Sequence, residues 1–410
     1  MNTAEDTVVE AIDGTNVAPQ AVARWRRVAF IVGLAGAAVA AIGAFILREQ
    51  FWSAYLLATI YWLQIALGCL GLAMLHHVAG GRWSGLIRRW MEAGAMTLPL
   101  LTVFCVPLFF GISTLYPWAN PEIVQHSEVL QQKTAYLNVP FFVGRTIFYF
   151  LIWNGLALGL NRLSHAQDRT GDPQLATRMQ RLSTVGLILY VLTCTFAAYD
   201  WLMSLEPEWY SSIYGLIFIA GQVLGALSVA VLGLRVLARR NAGAKAWVQG
   251  FNDLGNFILA FVMIWAYFSF SQFLIIWSAN LPHEVTWYYR RLNGLWSVVA
   301  LVLVLFDFAI PFLALLSRSF KRKAQLLSGL AVLILVGRWI ELQWLIMPAF
   351  QPESVRLPWV DIALLVAIGG LWVSLFLRIW AGKAPLPLHD ARLGEVNEHA
   401  DGFTPAEQSA

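Results

Sequence analysis

The sequence predicts an all-α integral membrane protein of about ten transmembrane helices, arranged as two four-helix bundles with the first and last helices peripheral. Three observations predict it. The chain of 410 residues is 59% hydrophobic and only 13% charged, whereas soluble domains run near a quarter charged, so the apolar excess has to face lipid. Ten apolar runs are each long enough to cross a hydrocarbon core of roughly 30 Å at ~1.5 Å per residue. The basic residues between those runs collect on alternate sides.

The runs fall near 28–47, 52–75, 95–116, 139–161, 185–203, 213–235, 256–278, 295–316, 327–347 and 360–381. Basic clusters at 24–27, 82–89, 162–181, 235–245, 318–323 and 378–392 share one side, and the other side has only Arg48, Lys133, Arg290, Arg291 and Arg356. The rule that positive loops stay inside makes the first side cytoplasmic, and an even number of spans puts both termini there. Residues 1–27 form a polar cytoplasmic segment, too basic at Arg24, Arg26 and Arg27 for a cleaved signal peptide. Residues 28–381 are the membrane domain, with bundles at about 52–203 and 213–347, and 382–410 is a polar cytoplasmic tail. Spans two to five and six to nine each begin and end outside, which permits two bundles related by an axis along the membrane normal. Segment 80–94, GGRWSGLIRRWMEAG, is too short and too charged to span, and is expected in the cytoplasmic interface.

Several chemistries are excluded by placement. Basic residues lie in short loops and not on one soluble face, which excludes nucleic-acid binding. Cys69, Cys105 and Cys194 each stand alone in an apolar run, so no iron–sulfur, zinc or disulfide framework is readable. No histidine falls mid-span, as bis-histidine haem ligation would require; His76 and His77 cap the cytoplasmic end of span two, as interfacial residues or as a proton port. The chain is therefore expected to bind no metal.

Ionisable side chains inside a span are costly unless paired or hydrated, which makes each a candidate. Arg145 in span four and Asp200 in span five lie at similar depth below the outer face and form a plausible pair. Asp307, Arg338 and Glu341 lie near mid-membrane on spans eight and nine. Two readings stay open for both groups: charge-assisted bonds that hold bundles together, or proton handling. On the second reading Glu341 is the carboxylate expected to exchange protons, with Asp307 the partner of Arg338. On the outer face an aromatic-walled candidate pocket for a flat ligand such as a quinone head group runs through Trp265, Tyr267, Gln272, Asn280, His283 and Glu284, against the alternative of an interfacial aromatic belt.

The strings DWLMSLEPEWYSSIYG (200–215) and FNDLGNFILAFVMIWAYFSFSQFLIIWSANLPHEVTWYYRR (251–291) resemble the F subunit of alternative complex III, of the NrfD-like, polysulfide-reductase-like membrane subunits. Residues 52–83, 87–93 and 136–153 extend the resemblance over nearly the whole membrane portion. It implies a subunit of a quinol:cytochrome c oxidoreductase in the bacterial inner membrane. The expected partners are an NrfD-like sister subunit, a periplasmic iron–sulfur protein, multihaem and monohaem cytochromes c, and a terminal oxidase, all in a lipid bilayer. Haem c and Fe–S clusters would then belong to the partners, and quinone would be the one cofactor within reach of this chain. The resemblance allows either a quinone-binding subunit or a cofactor-free structural and proton-conducting one. Where relatives are expected to carry two consecutive acids after Asn-Leu-Pro, this chain has His283 and then Glu284. A secondary transporter is the remote alternative, disfavoured by the scarcity of mid-span proline beyond Pro99, Pro107 and Pro311.

Overall fold

In a hydrocarbon core no water can satisfy backbone amides and carbonyls, so each apolar run must close its own hydrogen bonds, and here all ten do so as helices. The computed structural model describes residues 19–238, 245–383 and 387. Most of the predicted cytoplasmic N-terminal segment, Arg239 and Arg240, and nearly all of the predicted tail with His389, Arg392 and His399 lie outside the described residues.

The helices long and apolar enough to span are α1 (Pro19–Ile46), α2 (Arg48–Ala79), α3 (Arg88–Phe110), α4 (Val139–Thr170), α5 (Gln174–Leu205), α6 (Tyr214–Leu237), α7 (Ala246–Ala279), α8 (Leu295–Leu316), α9 (Ala324–Ala349) and α10 (Trp359–Ala381). No strand occurs among the described residues. The chain is thus an all-α, multi-pass membrane protein. Termini of the helices carry recognisable signals: Asn138 Oδ1 accepts from the Phe141 amide ahead of α4, with Pro140 in the first turn, and Gly171 ends α4 in the left-handed conformation.

α2 and α6 form the centre, packed against each other. α2 also meets α3, α5 and α10, while α6 meets α5, α7 and α9; α4 packs on α5, and α8 on α7 and α9. α2 is 94% buried over its most apolar stretch, so its polar residues face protein and not lipid. α10 runs along α2, and Trp62 Nε1 donates to the Leu365 carbonyl at 3.0 Å. α1 lies outside α10, antiparallel to it. A Cβ on Gly370 would sit 2.5 Å from Gly33 Cα, an approach that only the bare backbones permit. That pairing brings Pro19 and Lys383 to one end, called here the terminal end. The opposite, loop end holds residues 111–138, 202–213, 280–294 and 350–358, tied together by contacts such as Lys133 Nζ to the Pro207 carbonyl (2.6 Å) and Trp296 Nε1 to the Gln351 carbonyl (2.9 Å).

The structure departs from the sequence reading at 88–94, where the spanning helix already begins: Arg88–Ala95 forms the first turns of α3, with every residue buried. The reason is local neutralisation. Arg88 Nε lies 3.0 Å from Glu92 Oε1 and Arg89 Nη1 2.8 Å from Glu92 Oε2, and Lys383 Nζ reaches the same carboxylate at 3.0 Å. Ser164 and Gln167 of α4 add hydrogen bonds to the two arginines. A segment whose charges are matched within one turn can be buried where an unmatched one could not.

Candidate functional site

The densest buried charge away from either end sits midway along α8 and α9. Arg338 is fully buried, with Glu341 one turn on along α9 and Asp307 facing it from α8. Arg338 Nη1 donates to Glu341 Oε2 at 2.7 Å, and Nη2 lies 2.5 Å from Asp307 Oδ2. From α7, Trp265 Nε1 donates to the other Glu341 oxygen at 2.5 Å, and its ring lies 4.7 Å beneath the guanidinium carbon. This four-residue arrangement is possible because the backbone gives way at two places. Residues Val304–Ala309 of α8 form a widened π turn just ahead of Pro311, whose missing N–H breaks the regular ladder, and Asp307 lies in that turn. On α9, a Cβ at Gly337 would fall 2.2 Å from Asp307 Oδ1, so the carboxylate rests on bare helix backbone.

The two carboxylates are held differently. Glu341 accepts a hydrogen bond at each oxygen. Asp307 is close enough to Arg338 for Coulomb attraction but misaligned for a hydrogen bond, and neither of its oxygens has a hydrogen-bond partner among the described residues. Two carboxylates against one guanidinium make a neutral site when a single proton is bound. The expected Asp307–Arg338 ion pair is present, and Glu341, on the same guanidinium, is in addition held at both of its oxygens.

Polar side chains flank the triad in both directions along α7. Toward the loop end, two turns from Trp265, Gln272 accepts from Ser211 Oγ (2.8 Å) and donates to Tyr288 OH (3.1 Å). Tyr288 belongs to helix Pro282–Leu292, which caps this end outside the spans; burial pushes its phenol up to about 12, so it stays protonated. Arg291 pins the cap by reaching Glu206 Oε2 (2.5 Å) and the Leu345 carbonyl (2.9 Å), and Trp287 stacks on Trp209 at 4.3 Å. Burial lowers the Arg291 guanidinium from its ordinary value while Glu206 opposes the shift. Toward the terminal end, Lys321 Nζ donates to Asn256 Oδ1 at 2.7 Å, and Asn252 and Ser328 are buried.

The six residues expected to wall a quinone site are not brought together. Trp265 and Gln272 are seven residues apart on one stripe of α7 and face inward, already engaged by Glu341 and by Ser211 and Tyr288. Tyr267, two residues from Trp265 and so ~200° round the helix, is 66% exposed on the outer surface. Asn280, with φ of 48°, and His283 are exposed in the connection beyond α7, and Glu284 is partly so. The six side chains are therefore not gathered around one space.

The remaining candidates are placed as follows. Arg145 and Asp200 meet through two parallel bonds, Nε to Oδ2 at 2.8 Å and Nη2 to Oδ1 at 2.9 Å, with Tyr149 OH donating to Oδ2 at 2.7 Å. Tyr136 and Phe141 stack on the guanidinium, with its carbon 3.8 Å and 4.3 Å from their ring centres. Such a closed, bidentate group fastens α4 to α5. His76 and His77 are buried in the last turn of α2, with His76 Nδ1 2.5 Å from Ser84 Oγ. Among the described residues no three His, Cys, Asp or Glu side chains gather as a metal site would gather them. Sequence reasoning missed the Glu92 cluster, although Arg88 and Glu92 at i, i+4 were a readable signal, and missed the Glu206–Arg291 pair, for which no local spacing gives one. No protein-family model matches the chain, and no curated protein matches it in sequence.

Proposed function

We propose that this chain is the proton-conducting membrane subunit of a quinol:cytochrome c oxidoreductase of the alternative complex III type, in a bacterial inner membrane with its termini in the cytoplasm. Quinol oxidation, Fe–S clusters and haem c then reside in partner subunits: the NrfD-like sister, the iron–sulfur protein and the cytochromes c. The observation that carries the proton-handling role is the Asp307–Arg338–Glu341 triad, a fully buried site with one more carboxylate than cation. The absence of a common pocket among the expected quinone-side residues favours this form over the quinone-binding one. The resemblance at 200–215 and 251–291 supplies the electron-transport setting.

In this reading Asp307 binds and releases the proton, Arg338 keeps the ionised form tolerable inside the membrane, and Glu341, clamped by Trp265, holds Arg338 in place. Gln272 and Tyr288 offer hydrogen bonds to proton-carrying water on the loop side, and Asn256 with Lys321 on the terminal side. Trp265 and Gln272 are separated by ~10 Å of helix rise and Trp265 and Asn256 by ~13 Å, so bridging waters complete each half. Affinity purification of the chain from its native membrane tests the setting. C-type haem, iron–sulfur protein and quinol:cytochrome c reductase activity are expected in the eluate, and recovery of the chain without any redox partner would refute it.

A further inference from the structure

The triad has a polar neighbour on the other half of the molecule. Gln64 lies midway along α2, the most enclosed helix, is 1% exposed, and its Nε2 has no hydrogen-bond partner among the described residues. An apolar side chain would fit such a place at lower cost, since a buried amide without partners loses its hydration for nothing. Between Gln64 and the triad passes α6, and it does so at Gly221. A Cβ there would lie 3.2 Å from Arg338 Nη1, 3.4 Å from Glu341 Oε2 and 3.8 Å from Gln64 Oε1. One point on bare backbone is thus in van der Waals reach of the guanidinium, the carboxylate and the amide together. The amide oxygen accordingly lies within about 7 Å of both ion-pair atoms, a gap that one or two waters bridge. On the α2 side Gln64 Nε2 is without a hydrogen-bond partner among the described residues, and from α9 Arg338 presents Nη1 at Gly221. Tyr61, one turn from Gln64, fixes the level by donating to the Leu335 carbonyl of α9 at 3.1 Å.

Resting on the proton-handling role given to the triad above, we propose that Gln64 is its positioning residue on α2. The Gln64 amide holds a water against Arg338 Nη1 and Glu341 Oε2 across the α2–α6 junction, which keeps the guanidinium set for the Asp307 carboxyl, and Gly221 keeps that passage open. An amide does not titrate, so it acts by accepting from the water with Oε1 and donating to it with Nε2. The proton that Asp307 binds and releases does not pass through the amide, which makes and breaks no covalent bond.

The test uses the assembled complex in sealed vesicles, with electron transfer and charge translocation recorded together. Gln64→Leu is expected to keep assembly and electron transfer and to lose charge translocation. Gln64→Glu, which can hold the same water, is expected to restore it. Gly221→Ala, with its methyl in the passage, should behave as Gln64→Leu does. Gly225→Ala, one turn along α6 where the new Cβ meets only Ile65 Cγ1 at 3.3 Å, should leave translocation unchanged. Normal translocation in Gln64→Leu alongside its loss in Asp307→Asn overturns this proposal and leaves the triad's role standing. Unchanged translocation in Asp307→Asn itself overturns both. Should Gln64→Leu fail to assemble, Gly221→Ala decides in the same two ways.

Discussion

Gly337→Ala is the smallest change expected to dismantle the triad. The added Cβ would begin 2.2 Å from Asp307 Oδ1, 2.9 Å from its carboxyl carbon and 3.2 Å from Oδ2, so the whole carboxylate has to move by more than an ångström. It cannot move away from α9 and stay against Arg338. Overpacking alone costs about 1–3 kcal/mol, and separating a buried charge pair about 3–5 kcal/mol; the second is the larger effect and sets the expected loss. Against a typical total of about 5–15 kcal/mol, that is a large fraction of stability. Intrinsic Trp fluorescence follows unfolding of the detergent-solubilised protein, and the midpoint should fall by several degrees. The mechanism is checked by a double-mutant cycle with Asp307→Ala, which vacates the space the methyl needs while Arg338 keeps Glu341. On that background Gly337→Ala should cost less than ~1 kcal/mol, a coupling of about 2–4 kcal/mol. Costs that add to within ~0.5 kcal/mol would show that the glycine matters for some reason other than the carboxylate.

Asp200→Leu strands Arg145 in a site built around its carboxylate and should cost about 3–5 kcal/mol, seen as loss of assembled complex before loss of turnover; Tyr149→Phe, which removes one donor to the same oxygen, should cost about 1–2 kcal/mol in the unfolding midpoint. Glu92→Gln takes away the anion that Arg88, Arg89 and Lys383 share, so the amount of chain recovered from membranes should drop sharply, while Asp168→Asn, at the half-buried edge where its carboxylate meets Arg89, should cost less because Glu92 still balances that guanidinium. Tyr267→Ala and His283→Ala alter exposed side chains and should leave quinol oxidation by the complex unchanged in steady-state kinetics; a large loss in either would return them to a quinone site.

What was legible in the sequence follows from which signals are local. Span number and order are legible because hydrophobic length is written along the chain, and the ends of the spans drift only where charge intrudes. Arg88, Arg89 and Glu92 look like an interface when read as hydropathy, and only the cross-helix partners Ser164 and Lys383 show why they can be buried. Arg145 and Asp200 could be matched by depth alone, since two opposite charges at one level of adjacent helices have few other partners. Asp307, Arg338 and Glu341 were visible as costly residues, yet the way each is held was not, because it depends on a π turn and on the notch at Gly337. The quinone-side residues are not gathered for a rotational reason: Trp265 and Tyr267 are two residues apart in sequence and point to opposite sides of α7. Gln64 carried no signal at all, because an isolated amide in a long apolar run becomes informative only when the helix beside it is known.

The central claim is that Asp307 exchanges the proton while Glu341 holds Arg338. Protons moved per electron, measured in vesicles containing the assembled complex, tests it most directly. Asp307→Asn leaves Arg338 and Glu341 as a matched pair, so the complex should assemble, transfer electrons and show a lowered ratio. Glu341→Gln removes the clamp and should act first on assembly. An unchanged ratio in an assembled Asp307→Asn complex would contradict the account and leave the triad as a fastening between α8 and α9.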